Sequence, residues 1–352
     1  MGTHEEHEHP EHQEHDHGHS DHKVIRWFQD FFAPHSHGHQ AAALDPNLAT
    51  DKGIRALKIS FVALMVTAAF QVVIVAISGS VALLADTIHN FSDALTAIPL
   101  GLAFWLSRRA RNRRYTYGYG RAEDLAGVFI VLMIAFSAFE AIRQSVLRLF
   151  NPQEIENLGW VAAAAIIGFL GNELVAVFRI RTGKEIGSAA LVADGYHART
   201  DGFTSLAVLA GAIGVWLGFP ILDPLVGFGI GIAILGIVWK SAGDMWHRMM
   251  DAVDPEIYKK FKDTALGVHG VMDVHAAAVR WMGHRLWGEM HVTVNCKQTV
   301  LEGHFITEEV RHKLFHEFPA LVEVVVHADP CECDETVDYH PSSHHHFLPS
   351  AD

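Results

Sequence analysis

The sequence predicts an α-helical membrane protein of six transmembrane helices, followed by a small soluble domain of αββαβ order. Three observations predict this. Half of the 352 residues are apolar, and they gather in blocks of about 20 with few charges, the length at which a helix crosses the hydrocarbon core. Basic residues are confined to alternate loops. Two of the apolar blocks carry the same ionisable pattern, Asp-x-x-His-x-x-x-Asp, at a depth where charge is costly.

The blocks fall at approximately 56–77, 81–106, 123–148, 157–180, 187–217 and 222–243. Between the second and third lies "SRRARNRRYTYGYGRAED", with six arginines, and between the fourth and fifth lies "RIRTGKE". Lys52, Arg55 and Lys58 precede the first block, and Lys240 and Arg248 close the sixth. The other loops, "ISGS", "NPQEIEN" and "GFPILDP", hold no lysine or arginine. An excess of positive charge marks the cytoplasmic side, so both termini are expected in the cytosol. The beginning of the sequence lacks the charged-then-apolar pattern of a secretory signal. The expected organisation is a disordered head (1–50), a six-helix membrane domain (51–250), a cytosolic domain (251–333) and a disordered tail (334–352).

A formal charge of −13 argues against nucleic acid as a partner. Cys296, Cys331 and Cys333 are too few for a disulfide framework. Cys331 and Cys333 read as reduced thiols, with a soft-metal site as the alternative.

The repeated pattern places Asp86, His89 and Asp93 after "ALLAD" and Asp194, His197 and Asp201 after "ALVAD". Residues four apart on a helix point the same way, one turn apart. Two helices packed through these faces would offer His89, Asp93, His197 and Asp201, two imidazoles and two carboxylates. That set suits a tetrahedral divalent ion, Zn²⁺ above all. The competing reading is a polar network that fixes helix packing, and the second copy weighs against it. Asp86 and Asp194 would orient the imidazoles or attract cations. Asn90 and Arg199 read as packing residues. Glu173, with Asn172, could line a cavity, move protons or hold two helices together.

After the last block, "PEIYKKFKDTALG" reads as a helix, "DVHAAAVRWMG" and "RLWGEMHVTVN" as strands with a turn near Gly283, "LEGHFITEEVRHKLFHEF" as a helix and "LVEVVVHADP" as a strand. This is one helical layer on one sheet.

The paired His-x-x-x-Asp motifs, the "YGYGRAEDLA" that opens the third block and the C-terminal "VHADP" resemble the cation diffusion facilitator family, over about residues 50–333. The resemblance implies a homodimeric exporter in the cell membrane that exchanges cytosolic divalent metal for protons. It also implies a metallochaperone-like cytosolic domain. The transport ligands carried over are His89, Asp93, His197 and Asp201, and His89 leans the choice toward Zn²⁺, with Co²⁺, Cd²⁺, Ni²⁺ and Fe²⁺ as other candidates. His275, His291, His304, His327 and Asp329 match positions where such domains bind zinc within or between protomers. His269, His284, His312 and His316 read as surface histidines. Tyr115 and Tyr119 stand where some members have metal ligands, so no metal is expected in that loop. Arg121 is expected to pair with Asp251.

Residues 1–40 contain eleven histidines and are expected to collect metal without adopting a fold. An intramembrane zinc hydrolase would need an open metal position and often His-Glu-x-x-His, which is absent from the sequence, so no enzyme is expected. The remaining alternative is a membrane-bound metal sensor without transport.

Overall fold

The computed structural model describes residues 45–78, 91, 95, 97–150, 158–219 and 221–332. The elements are α1 (Pro46–Ser78), α2 (Ala97–Ser107), α3 (Arg121–Phe150), α4 (Leu158–Ile186), α5 (Ala189–Trp216) and α6 (Leu222–Met249). They are followed by α7 (Pro255–Leu266), β1 (Asp273–Met282), β2 (Arg285–Val294), α8 (Val300–Glu317) and β3 (Leu321–Pro330).

Four of the described helices, Pro46–Ile77, Arg121–Phe150, Leu158–Ile186 and Leu222–Met249, are long and apolar enough to cross a membrane. The shortest has 28 residues, about 42 Å of helix against a hydrocarbon core of about 30 Å. Their outer faces are apolar: Val62, Leu132, Phe136, Phe139 and Leu174 are mostly exposed, and Trp239 is 85% exposed. Such a surface is a liability in water and at home in lipid. α5 has the length of a span but carries Asp194, Arg199 and Asp201 in its first half. Of the expected second span, only the C-terminal part forms a described helix, α2, so the count of six lies beyond the described residues.

α4 and α5 pack almost backbone to backbone. A Cβ on Gly195 would stand 2.6 Å from Ile180 Cγ1 and 2.9 Å from Ile180 N, which only glycine avoids. The Ser188 hydroxyl accepts from Leu191 N at 3.1 Å and starts α5. Two ion pairs join the same helices. Arg179 Nη1 lies 3.0 Å from Asp194 Oδ2, both side chains fully buried. Arg199 grips Glu173 through two hydrogen bonds, 3.1 Å from Nε to Oε2 and 2.7 Å from Nη2 to Oε1. Glu173 therefore holds α4 to α5, one of the roles its position suggested.

In the C-terminal domain, Asp254 caps α7 ahead of Pro255, and Thr299 and Glu302 form a reciprocal capping box at the start of α8. The sheet order is β1-β2-β3, antiparallel between β1 and β2 and parallel between β2 and β3, with α8 as the crossover. Phe261 of α7 and Val310 and Leu314 of α8 bury against Val274, Trp281, Leu286, Met290 and Val292. Both helices thus cover one face of the sheet. Cys331 Sγ accepts from Cys296 N at 3.3 Å, and Cys296 is disulfide-bonded, which three cysteines had not suggested.

β1 contains a bulge. Pairing runs from His275↔His291 directly to Ala278↔Glu289, three steps on β1 against two on β2. Ala276 sits within it at φ 46°, a conformation that costs an L-residue about 1–2 kcal/mol. The bulge switches the inward set from Val274 to Val279 and Trp281, and so leaves His275 on the outer face.

The β1–β2 turn is Gly283-His284, between the paired Met282 and Arg285. Gly283 has φ 62°, the first-position requirement of a type II′ hairpin. His284 was expected at the surface and is instead 1% exposed. Its Nδ1 lies 2.7 Å from Glu123 Oε2, and its Nε2 lies 2.8 Å from Thr50 Oγ1 and 3.1 Å from the Pro46 carbonyl. Thr50 already donates to that carbonyl at 2.7 Å, so Nε2 is the donor here, and Glu123 and Nδ1 share the remaining proton. Asp124 Oδ2 accepts from Gly283 N at 3.0 Å, and Arg248 Nη1 donates to Gly283 O at 3.1 Å. The hairpin tip is therefore seated in a socket built by α1, α3 and α6.

Two outcomes follow. Replacing His284 by Ala strands the buried Glu123 carboxylate, so the thermal midpoint of the purified full-length protein should fall by the equivalent of about 3–5 kcal/mol. His284→Gln, which keeps a donor, should lose less, and an unchanged midpoint in His284→Ala would show that the pair contributes nothing. Ala276→Gly should raise the midpoint by the equivalent of about 0.5–1 kcal/mol, while Ala276→Val should lower it. Equal midpoints for both would contradict a strained bulge.

Candidate metal centres

His197 and Asp201 lie one turn apart on α5, and both are almost fully buried. Nδ1 of His197 stands 4.0 Å from Oδ1 of Asp201, longer than a hydrogen bond and close enough for one ion to contact both. The residues around them on α5, from Ala193 to Phe203, are all buried. Nothing there but the protein's own groups or an ion can solvate the pair. His89 and Asp93, the other expected ligands, lie outside the described residues, as do Asp86 and Asn90. Asp194, expected to orient an imidazole, is taken by Arg179, whose contact has the distance of an ion pair without the angles of a hydrogen bond. Arg199 is taken by Glu173.

The second centre is on the uncovered face of the sheet. Register places His275, His291 and His327 in one row across β1, β2 and β3, and Asp329 follows two residues after His327 on the same face. The imidazole centroids stand 5.5 Å apart between His275 and His291, and 4.8 Å between His291 and His327. All three rings converge on the Asp329 carboxylate. His291 Nδ1 lies 2.8 Å and His275 Nε2 3.1 Å from Oδ2, and His327 Nε2 lies 3.0 Å from Oδ1. Ligand atoms of His275, His291 and Asp329 fall within 4.8 Å of one another. Two imidazole nitrogens and one carboxylate oxygen thus stand within reach of one ion, a donor set that fits zinc chemistry, with His327 beside them on Asp329 Oδ1. Thr293 Oγ1, 3.5 Å from His275 Nδ1, is placed to steady that ring.

Burial by itself would raise the Asp329 pKa. The His291 hydrogen bond and the positive charge available on His327, His291 and His275 outweigh it and hold the carboxyl below its usual range. Asp329 is therefore ionised and ready to ligate near neutral pH.

His304 is not brought to this row within the chain. It is exposed on α8, its ring 6.2 Å from Phe305, and α8 covers the opposite face of the sheet. In the loop before α3, Tyr115 and Tyr119 stack at 4.7 Å, and Tyr119 OH accepts from Asn112 Nδ2 at 2.8 Å. Arg121 pairs with Asp251, as expected from its position, and also donates to the Arg248 carbonyl at 3.0 Å. The residues that sequence reasoning missed are His284 and Glu123. The signal was the adjacent acid pair Glu123-Asp124 at the first turn of a span, where two carboxylates need a partner.

The chain is similar to known proteins along most of its length. The family model described as the cation efflux transmembrane domain matches residues 57–245, and that of the cation efflux protein cytoplasmic domain matches residues 253–331. The "probable cation efflux system protein" of Mycobacterium tuberculosis (strain CDC 1551 / Oshkosh) is 49% identical over 309 residues, covering 88% of this chain and 93% of its own. The magnetosome protein MamB of Paramagnetospirillum magneticum is 25% identical over 262 residues, 74% of this chain and 88% of its own. Metal tolerance protein 2 of Oryza sativa subsp. japonica is 28% identical over 280 residues, 71% of this chain and 72% of its own. Both family matches, with a relative 49% identical over 88% of the chain, lead to one conclusion: the chain belongs to the cation efflux (cation diffusion facilitator) family of multi-pass membrane transporters.

Proposed function

We propose that this chain exports Zn²⁺ from the cytosol in exchange for protons, as a homodimer with six spans and both termini in the cytosol of the cell membrane. The observation that carries the reading is the buried His197–Asp201 pair on α5. A histidine and an aspartate one turn apart at membrane depth are costly unless they serve an ion. The matching His89 and Asp93 supply the other half of a four-ligand site. Zinc binds neutral imidazole and ionised carboxylate, so loading the site releases protons and protonation releases zinc. If the site opens alternately to the two sides, this competition alone couples the two fluxes. Co²⁺, Cd²⁺, Ni²⁺ and Fe²⁺ are competitors for the same donors.

The row His275, His291, His327 with Asp329 is read as a regulatory zinc site of the C-terminal domain. His304 would join such a site only from a second copy. The histidine-rich head supplies ions at high local concentration near the cytosolic side.

The test is zinc uptake into inside-out vesicles with an imposed proton gradient. His197→Ala or Asp201→Ala should weaken zinc affinity at least about 100-fold and bring flux to background while the protein still inserts. Wild-type flux in Asp201→Ala would remove the site. Flux indifferent to collapse of the proton gradient would remove the antiport and leave the site. In the same assay, deleting residues 2–40 should raise the zinc concentration for half-maximal flux and leave the maximal rate nearly intact. Loss of the maximal rate would instead make the head part of the transport step.

A further inference from the structure

α8 carries a second arrangement of metal-ligating side chains, separate from the sheet. His304, Glu308, His312 and His316 recur every four residues, each about one turn from the next, and all are exposed. The lower two histidines meet: the rings of His312 and His316 stand 4.4 Å apart at 74°. Their ring contact with each other is the single interaction the structure gives either imidazole among the described residues. Neighbouring charged groups are already engaged. Arg311 donates to Glu308 at 2.7 Å, Lys313 donates to the Gly267 carbonyl at 3.2 Å, and Lys260 pairs with Glu317. These three charged groups near the pair are thus engaged elsewhere.

We infer that His312 and His316 form a two-histidine chelate for a late first-row divalent cation, Zn²⁺ in particular, on the exposed face of α8. Two histidines at i and i+4 on a rigid helix present their nitrogens to one ion, the same geometry that the first two ligands of a helical zinc motif use. Two nitrogens each about 2.1 Å from a tetrahedral ion stand about 3.4 Å apart, within reach of rings 4.4 Å apart by small rotations. The helix is fixed for this purpose by its capping box and by Val310 and Leu314, which anchor its other face in the core. Water completes the coordination. With half the ligands of a closed structural site, the affinity falls in the range of roughly 1–100 µM, so the ion exchanges readily. The sheet cluster is different in kind: it gathers three histidines around a buried carboxylate.

The probe is modification of individual histidines by diethyl pyrocarbonate in the purified full-length protein near neutral pH, read peptide by peptide by mass spectrometry across a zinc sulfate series. Zinc up to about 100 µM should slow modification of His312 and His316 together, at least about fivefold, along one curve. His312→Ala should abolish the protection of His316, and His316→Gln should abolish that of His312. The combined variant His275→Ala, His291→Ala, His327→Ala should keep both. Magnesium sulfate at the same concentrations should protect neither, since imidazole is a poor ligand for that hard ion. Three results would each overturn the site: continued protection of His316 in His312→Ala, no protection up to about 1 mM zinc, or loss of protection when the sheet histidines are removed.

Discussion

A charge taken out of water costs several kcal/mol unless something inside the protein replaces the water, and α5 is organised by that requirement. Asp194, His197, Arg199 and Asp201 lie within two turns of a buried helix. Two of them are settled by the protein itself, Asp194 by Arg179 and Arg199 by Glu173. Both partners come from α4, and both pairs need α4 and α5 to approach as closely as Gly195 allows. His197 and Asp201 lie on the same helix, which these two ion pairs join to α4. The packing of α4 on α5 and the placing of the His197–Asp201 pair are one solution to one electrostatic problem.

The C-terminal domain solves a geometric problem instead. A sheet with one face in the core turns every second side chain outward, so a row of outward histidines needs three strands in matching phase. β2 and β3 are in phase from Trp287↔Glu323 to Val294↔Pro330, past one register shift between Leu286 and Trp287. β1 is not, and the extra residue at Ala276 brings it into phase. The strained backbone beside His275 is thus a consequence of the face that side chain takes.

Much of this was legible from the chain. The apolar blocks located α1, α3, α4 and α6, the loop signals located the αββαβ order, and the repeated His-x-x-x-Asp singled out His197 and Asp201. Three features were not legible, for physical reasons. The bulge hides in "HAAAVR", because alanine is at home on either face of a strand and erases the alternation that would reveal the slip. The Glu173–Arg199 pair needs the helix interface before cavity, proton path and packing can be told apart. His284 lies 161 residues from Glu123, and a histidine in a two-residue turn is ordinarily solvated. Only the docking of the hairpin on the membrane domain buries it.

The seating of that hairpin also bears on how members of this family can be recombined. Glu123, Thr50 and Arg248 belong to the membrane domain, whereas Gly283 and His284 belong to the other. The two halves of one recognition surface are thus inherited in different segments of the gene. A C-terminal domain separated from these helices would carry a histidine without the acid that receives it. The transplantable unit is therefore the domain together with the first turns of α1 and α3 and the end of α6, and not the domain cut at its linker.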